Sequence, residues 1–127
     1  MFMVPTLASL AGDRQGPAAQ TLRGAITDAH AASVRLVFGT DGGVLPHGQN
    51  AREFAAMVDA GVPVVEAIRA ATINTARTFG QENDVGAIAA RRAADIIAVD
   101  GDPLRDVQSL SRVVFIMRKG RIIRRPA

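Results

Sequence analysis

The residue types best suited to chemistry gather in one short stretch. Phe38-Gly39-Thr40-Asp41-Gly42-Gly43 sets a single carboxylate among glycines, and His47 follows in Pro46-His47-Gly48. Flanking glycines let a backbone pass close to a ligand, and a carboxylate can bind a metal or accept a proton. The same spelling also suits an ordinary turn, in which Asp beside Gly-Gly is common. His47 could face the mouth of a site and meet a substrate, or make a hydrogen bond that shapes the loop. The chain has no cysteine, which excludes disulfides, thiolate metal sites and cysteine nucleophiles. Its only histidines are His30 and His47, so any metal chemistry rests on carboxylates, two imidazoles and ligands from elsewhere. Asp100-Gly101-Asp102 has the look of a calcium loop, but Pro103-Leu104 breaks the alternating oxygen pattern, and a turn is expected. Thr72, Asn74 and Thr75 form a polar patch whose expected role is hydrogen bonding near a helix end.

These residues need elements to carry them. Phe2 to Leu7 is a short apolar run with Pro5 inside it, a strand whose proline belongs near its end. Ala8 to Gly16 reads as a loop. Pro17 suits a first helical turn, and Ala18, Leu22, Ala25, Ile26 and Ala29 recur at helical spacing, predicting a helix to about Ser33. Val34 to Phe38 is a buried strand by composition. After the glycine-rich loop, Asn50 and Glu53 fit an N-cap and its N3 partner, Phe54, Met57 and Val58 supply an apolar stripe, and Gly61 fits C′. A further helix opens at Pro63 and closes at Gly80. The order β-α-β-α points to parallel strands with helical crossovers. Beyond residue 84 the pattern changes to short strand candidates, Val85–Ile88, Asp95–Val99, Val113–Met117 and Ile122–Ile123, separated by turns.

With 127 residues, 48% hydrophobic and 21% charged, the chain can form a core and is not of disordered type. No apolar run reaches the roughly 18 residues that span a bilayer. The start, Met1-Phe2-Met3-Val4-Pro5-Thr6, lacks the features of a signal peptide, which leaves the cytoplasm as the default compartment. The net charge of +3 is unevenly spread: residues 1–90 hold six Arg and eight acids, residues 91–127 eight Arg, one Lys and four acids. The basic tail Arg118 to Arg125 has no aromatic to stack on bases, so a solvated strand is expected, and neither nucleic acid nor membrane is expected as a partner.

Taken in order, these segments resemble the metal-dependent amidohydrolases. Phe38 to Gly43, then His47-Gly48-x-Asn50 and a helix, looks like the last barrel strand of that family and its loop. Ala70-Ala71-Thr72-Ile73-Asn74-Thr75-Ala76 with Gly80 is similar to the helices that follow, and Gly86-x-Ile88, Ala94-Asp95-Ile96-Ile97, Asp100 to Leu104 and Val114 to Gly120 to its closing β segment. Val4-Pro5-Thr6-Leu7 resembles the preceding strand in the branch of imidazolonepropionases and Xaa-Pro dipeptidase-like enzymes. One departure is Arg91, which stands where the family places a glycine; a turn needing φ > 0 would be strained there.

The resemblance implies an α/β fold: the last two βα units of a TIM-like (β/α)8 barrel over residues 1–84, then strands of a composite β-sandwich over 85–127. It implies metal-dependent hydrolysis of C–N bonds in cyclic amides, dipeptides or related small molecules. Asp41 would bind a divalent metal, zinc first, take a proton from the attacking water and return it to the leaving nitrogen. The family draws its other ligands from a His-x-His pair, a carboxylated Lys or a Glu, and two later histidines. This chain has no His-x-His, and its one lysine, Lys119, lies in the basic tail. Zinc takes three or four protein ligands, so the metal is not expected to be held by this chain alone. A barrel of this type needs about 250 residues. The expected state is therefore an incomplete C-terminal fragment, inactive by itself, that needs the missing N-terminal barrel portion or associates with itself. Its strand edges are expected to be open. The alternative is a non-catalytic interaction module that uses such an edge to pair with another chain.

Overall fold

The computed structural model describes residues 1–10 and 16–126. Strands β1 (Phe2–Met3) and β2 (Arg35–Leu36) run parallel, Phe2 opposite Arg35 and Met3 opposite Leu36. Helix α1 (Pro17–Ala31) joins them, as a parallel pair requires of its crossover. Pro17 occupies its first turn, and Ile26 is its fully buried contact with the core. Both strands are shorter than the apolar runs that contain them, although the Val37 amide still bonds the Met3 carbonyl at 2.9 Å. The expected loop from Ala8 begins inside a 3₁₀ turn, Leu7–Leu10, with Leu7 and Ala8 buried. Residues 11–15 of that loop lie outside the described residues.

Helix α2 (Arg52–Asp59) follows the glycine-rich loop, but not with the expected capping pair. Its N-cap is Ala51, no side chain caps it, and the Glu53 carboxylate turns into the core instead. The reason is rotational: Glu53, Met57 and Ala60 are spaced to share one face of the helix, and that face is buried. The far end behaves as expected. Gly61, at φ +91°, donates to the Val58 carbonyl at 2.9 Å, and Val62 donates to Met57 at 3.0 Å. That is the pair of hydrogen bonds of a Schellman ending, with Val62 and Met57 both in the buried core.

Helix α3 (Val64–Arg69) runs without a break through a π turn (Ala70–Asn74) into α4 (Thr75–Thr78). Ala67 and Ala70 are fully buried, and with Leu7, Ile26, Leu36, Met57 and Val62 they form the core against β2. Phe38 and Phe54 extend it, their ring centroids 4.4 Å apart.

Strands β3 (Ile96–Val99), β4 (Val113–Arg118) and β5 (Arg121–Arg124) form an antiparallel sheet in that order. Lys119 and Gly120 make its two-residue hairpin, both at positive φ, the geometry that matches strand twist. Asp95 accepts the Lys119 amide at 2.6 Å and ties the entry of β3 to that hairpin. The Asp100–Pro103 segment is a turn as expected, the Asp102 carboxylate accepting the Leu104 amide at 2.9 Å. The Val85–Ile88 strand is not formed. Asp84 and Val85 fold back to the Gln81 carbonyl, and Gly86 lies against the helix, where a Cβ would meet the Ala76 methyl at 2.8 Å. Those local bonds and that contact leave the segment no extended partner. Arg91 adopts φ +68°, the strained conformation anticipated at that position. Among the described residues, no helix is long and apolar enough to cross a membrane.

Candidate functional site

The two parallel strands end on the same side, and the segments that leave them touch. Gly39 packs against Val4 so closely that an added Cβ would stand 2.5 Å from the Val4 Cγ1. Both exits carry a non-glycine residue in the left-handed region, Thr6 at φ +49° and Asp41 at φ +51°. Asp tolerates that conformation; a β-branched Thr does so only when its surroundings force it. Such strain costs about 1–3 kcal/mol and gathers at functional sites.

Asp41 and His47 lie on the one loop that follows β2, and both are exposed. The Asp41 carbonyl accepts the Val44 amide at 3.2 Å, which turns the loop and sends Leu45 into the interior. No hydrogen bond or ion pair joins Asp41 to His47 among the described residues. His30 is exposed on α1 and lines a cleft beside the start of β2, at the opposite end of that strand from Asp41. Three or more His, Cys, Asp or Glu side chains grouped to hold a metal ion do not occur among the described residues. Among the described residues, the loop beyond β2 offers one carboxylate, Asp41.

Two buried polar side chains fix the strands around this loop. The Glu53 carboxylate, with no exposed surface, accepts the Leu7 amide at 3.0 Å and the Ala8 amide at 2.6 Å, clamping the exit of β1 to α2. Burial pushes its pKa up from 4.5, and the Ala8 and Leu7 amides pull it back in part. Asn74, in the π turn, donates from Nδ2 to the Leu36 carbonyl at 3.0 Å. The Ala70 carbonyl accepts the Phe38 amide at 3.2 Å and the Thr75 hydroxyl at 2.6 Å. In a parallel pair the backbone groups of alternate residues face opposite sides. Val37 faces β1, so Leu36 and Phe38 face away from it. The outer edge of β2 is thus engaged by the π turn rather than open as expected.

Of the polar patch seen in the sequence, Thr72 and Thr75 make the expected helix-backbone bonds, to the Ile68 carbonyl at 2.8 Å and the Ala70 carbonyl at 2.6 Å. Asn74 reaches across to the strand. The sequence carried a signal for both clamps: Glu53 and Asn74 are polar residues at positions that helical spacing turns toward the apolar face.

The sequence profile of the amidohydrolase family matches residues 18–123. The chain belongs to the amidohydrolase family. Among solved structures, this chain superposes on a Xaa-Pro dipeptidase with bound methionine in its active site, at TM-score 0.89 and 28% identity, covering 98% of this chain and 34% of that one. For a putative prolidase from Bifidobacterium longum the values are 0.86 and 24%, over 99% and 36% of the two chains, a likeness of fold. For A. niger ochratoxinase they are 0.81 and 26%, over 100% and 32%. The likeness lies with the prolidase-like branch. The chain spans about a third of the length of the structures it matches. No curated protein matches it.

Proposed function

We propose that this chain supplies the C-terminal portion of a prolidase-like amidohydrolase that hydrolyses C–N bonds in dipeptides or small amides. Residues 1–84 would provide the last two βα units of a barrel, and residues 85–127 part of the accompanying β segment. One observation carries the reading: in a chain of this family, Asp41 stands on the loop just beyond the carboxyl ends of the parallel strands, where parallel α/β barrels hold their chemistry. An exposed carboxylate there can take a proton from an attacking water and return it to a departing nitrogen. His47, on the same loop, would meet the substrate at the rim. A divalent metal, zinc first, belongs to the complete enzyme; its remaining ligands must come from outside this chain, because one carboxylate does not hold it.

The missing part would come from a longer chain or a separate polypeptide. A cleft of about 480 Å³ beside β2, lined by Arg35, Arg69, Arg77, Leu36 and Ile73, gives such a partner a place to dock. The test is to mix or fuse this chain with the N-terminal two thirds of a prolidase-like amidohydrolase. Xaa-Pro and N-acyl dipeptides would then be assayed with added Zn²⁺ or Mn²⁺. Turnover is expected only in the combined sample, and Asp41→Asn should lower kcat by about 10²–10⁴. Turnover by the isolated chain, or an Asp41→Asn complex with full activity, would sink the assignment. The same cleft supports the second reading, an interaction module, which predicts a stable complex with no turnover.

A further inference from the structure

Nothing in the family likeness assigns a role to the π turn, yet it holds the strand that leads to Asp41 at two points. We infer that Asn74 is a positioning residue for Asp41, with the Ala70 carbonyl as its companion; this rests on the reading of Asp41 given above. The Asn74 side chain is buried and donates to the Leu36 carbonyl at 3.0 Å. Two residues on, the Phe38 amide donates to the Ala70 carbonyl at 3.2 Å. Phe38 is followed directly by Gly39-Thr40-Asp41, so these are the last two anchors on that edge of the strand before the loop turns.

The second anchor falls on the first residue of the π turn. In an α ladder the Ala70 carbonyl would accept the Asn74 amide. Over Ala70–Asn74 the wider register breaks that pairing, and π turns inside helices recur at functional sites. The Thr75 hydroxyl closes on the same carbonyl at 2.6 Å, so one buried oxygen receives a helix side chain and a strand amide together. Asn is a poor choice for a helix interior by propensity, and its burial here is explained by the strand carbonyl it satisfies. A leucine of similar size would leave that carbonyl with one partner fewer and would not set the height of the strand.

The experiment uses the 127-residue chain itself, read by amide hydrogen exchange and amide NMR signals. Asn74→Ala should speed exchange at Phe38 by about tenfold and shift the Gly39 to Asp41 signals, while the amides of β3 to β5 stay unchanged. Asn74→Asp is the conservative probe. When ionised it cannot donate to Leu36, and it should show the Asn74→Ala pattern. When protonated at low pH it can donate again, and the native signals at residues 39–41 should return, whereas Asn74→Ala shows no such recovery. Should Asn74→Ala fail to fold, the pH series on Asn74→Asp decides alone. Unchanged signals at 39–41 in both variants, or an equal rise in exchange across β3 to β5, would overturn the inference. Neither readout depends on turnover, so a failure here is distinct from a failure of the Asp41→Asn assay.

Discussion

Glu53 sits in the core with both oxygens on backbone amides, and the two forces on it oppose one another. The amides favour the carboxylate; burial disfavours it and prevails, so the folded pKa lies above the unfolded 4.5. The sign of the linkage follows. A raised folded pKa means that the group's stabilisation is complete below the unfolded value and is lost as pH rises through the folded one. Glu53→Gln removes the titration and turns an NH₂ group toward one of the two amides. The variant should lose about 1–3 kcal/mol at neutral pH, the cost of leaving a buried donor unmet. The wild-type advantage should widen as pH falls toward 4.5. Denaturant unfolding of both proteins across that range measures it, and a gap that narrows on acidification would contradict the account. Asp106 works in the opposite sense: Arg112 beside it, at 2.8 Å, and the Gln108 amide hold its pKa below 3.8. The comparison with Glu53→Gln cancels that contribution.

At the scale of elements, the turn that leads into β3 carries Arg91 at φ +68°. An L-residue there costs about 1–2 kcal/mol that glycine avoids, less the extra chain entropy glycine loses on folding. Arg91→Gly should therefore raise stability by about 0.5–1 kcal/mol, seen as a higher denaturation midpoint with unchanged slope; a lower midpoint would show that the Arg91 side chain matters. This conflict was legible in the sequence, as were the crossover helix, the Gly61 ending of α2 and the Lys119-Gly120 hairpin. Each of these is written in local residue types. The Val85–Ile88 segment was not legible, because an apolar run states only that it will be buried or paired, and here the adjoining helix and Gln81 provide its contacts. Asn74 stood out as a polar residue on an apolar face, but its partner was hidden, since the bond joins residues 38 apart in sequence. Asp41 itself was legible as a motif, and its left-handed backbone is supplied by the fold.

The whole molecule shows apolar surface that it does not cover. Phe79 is 71% and Ile88 84% exposed. A further cleft of about 430 Å³, lined by Phe54, Ile68, Ile96, Val99 and Leu110, opens between the helices and the antiparallel sheet. Surface of this kind marks an interaction site or an aggregation liability. Sedimentation velocity should show mass rising with concentration, together with binding of an apolar dye, and both should fall when the chain is combined with an N-terminal barrel portion. A cooperatively unfolding monomer at all concentrations would count against the need for a partner. The π turn shapes the molecule at this scale as well. A π turn holds one residue more than the α-helical path it replaces, so it sets the phase of everything after it. Wind the same residues as a regular α-helix and its last turn would rotate by about 100°. Asn74 would then face away from Leu36, and a more uniform helix would leave the strand beneath it unmoored.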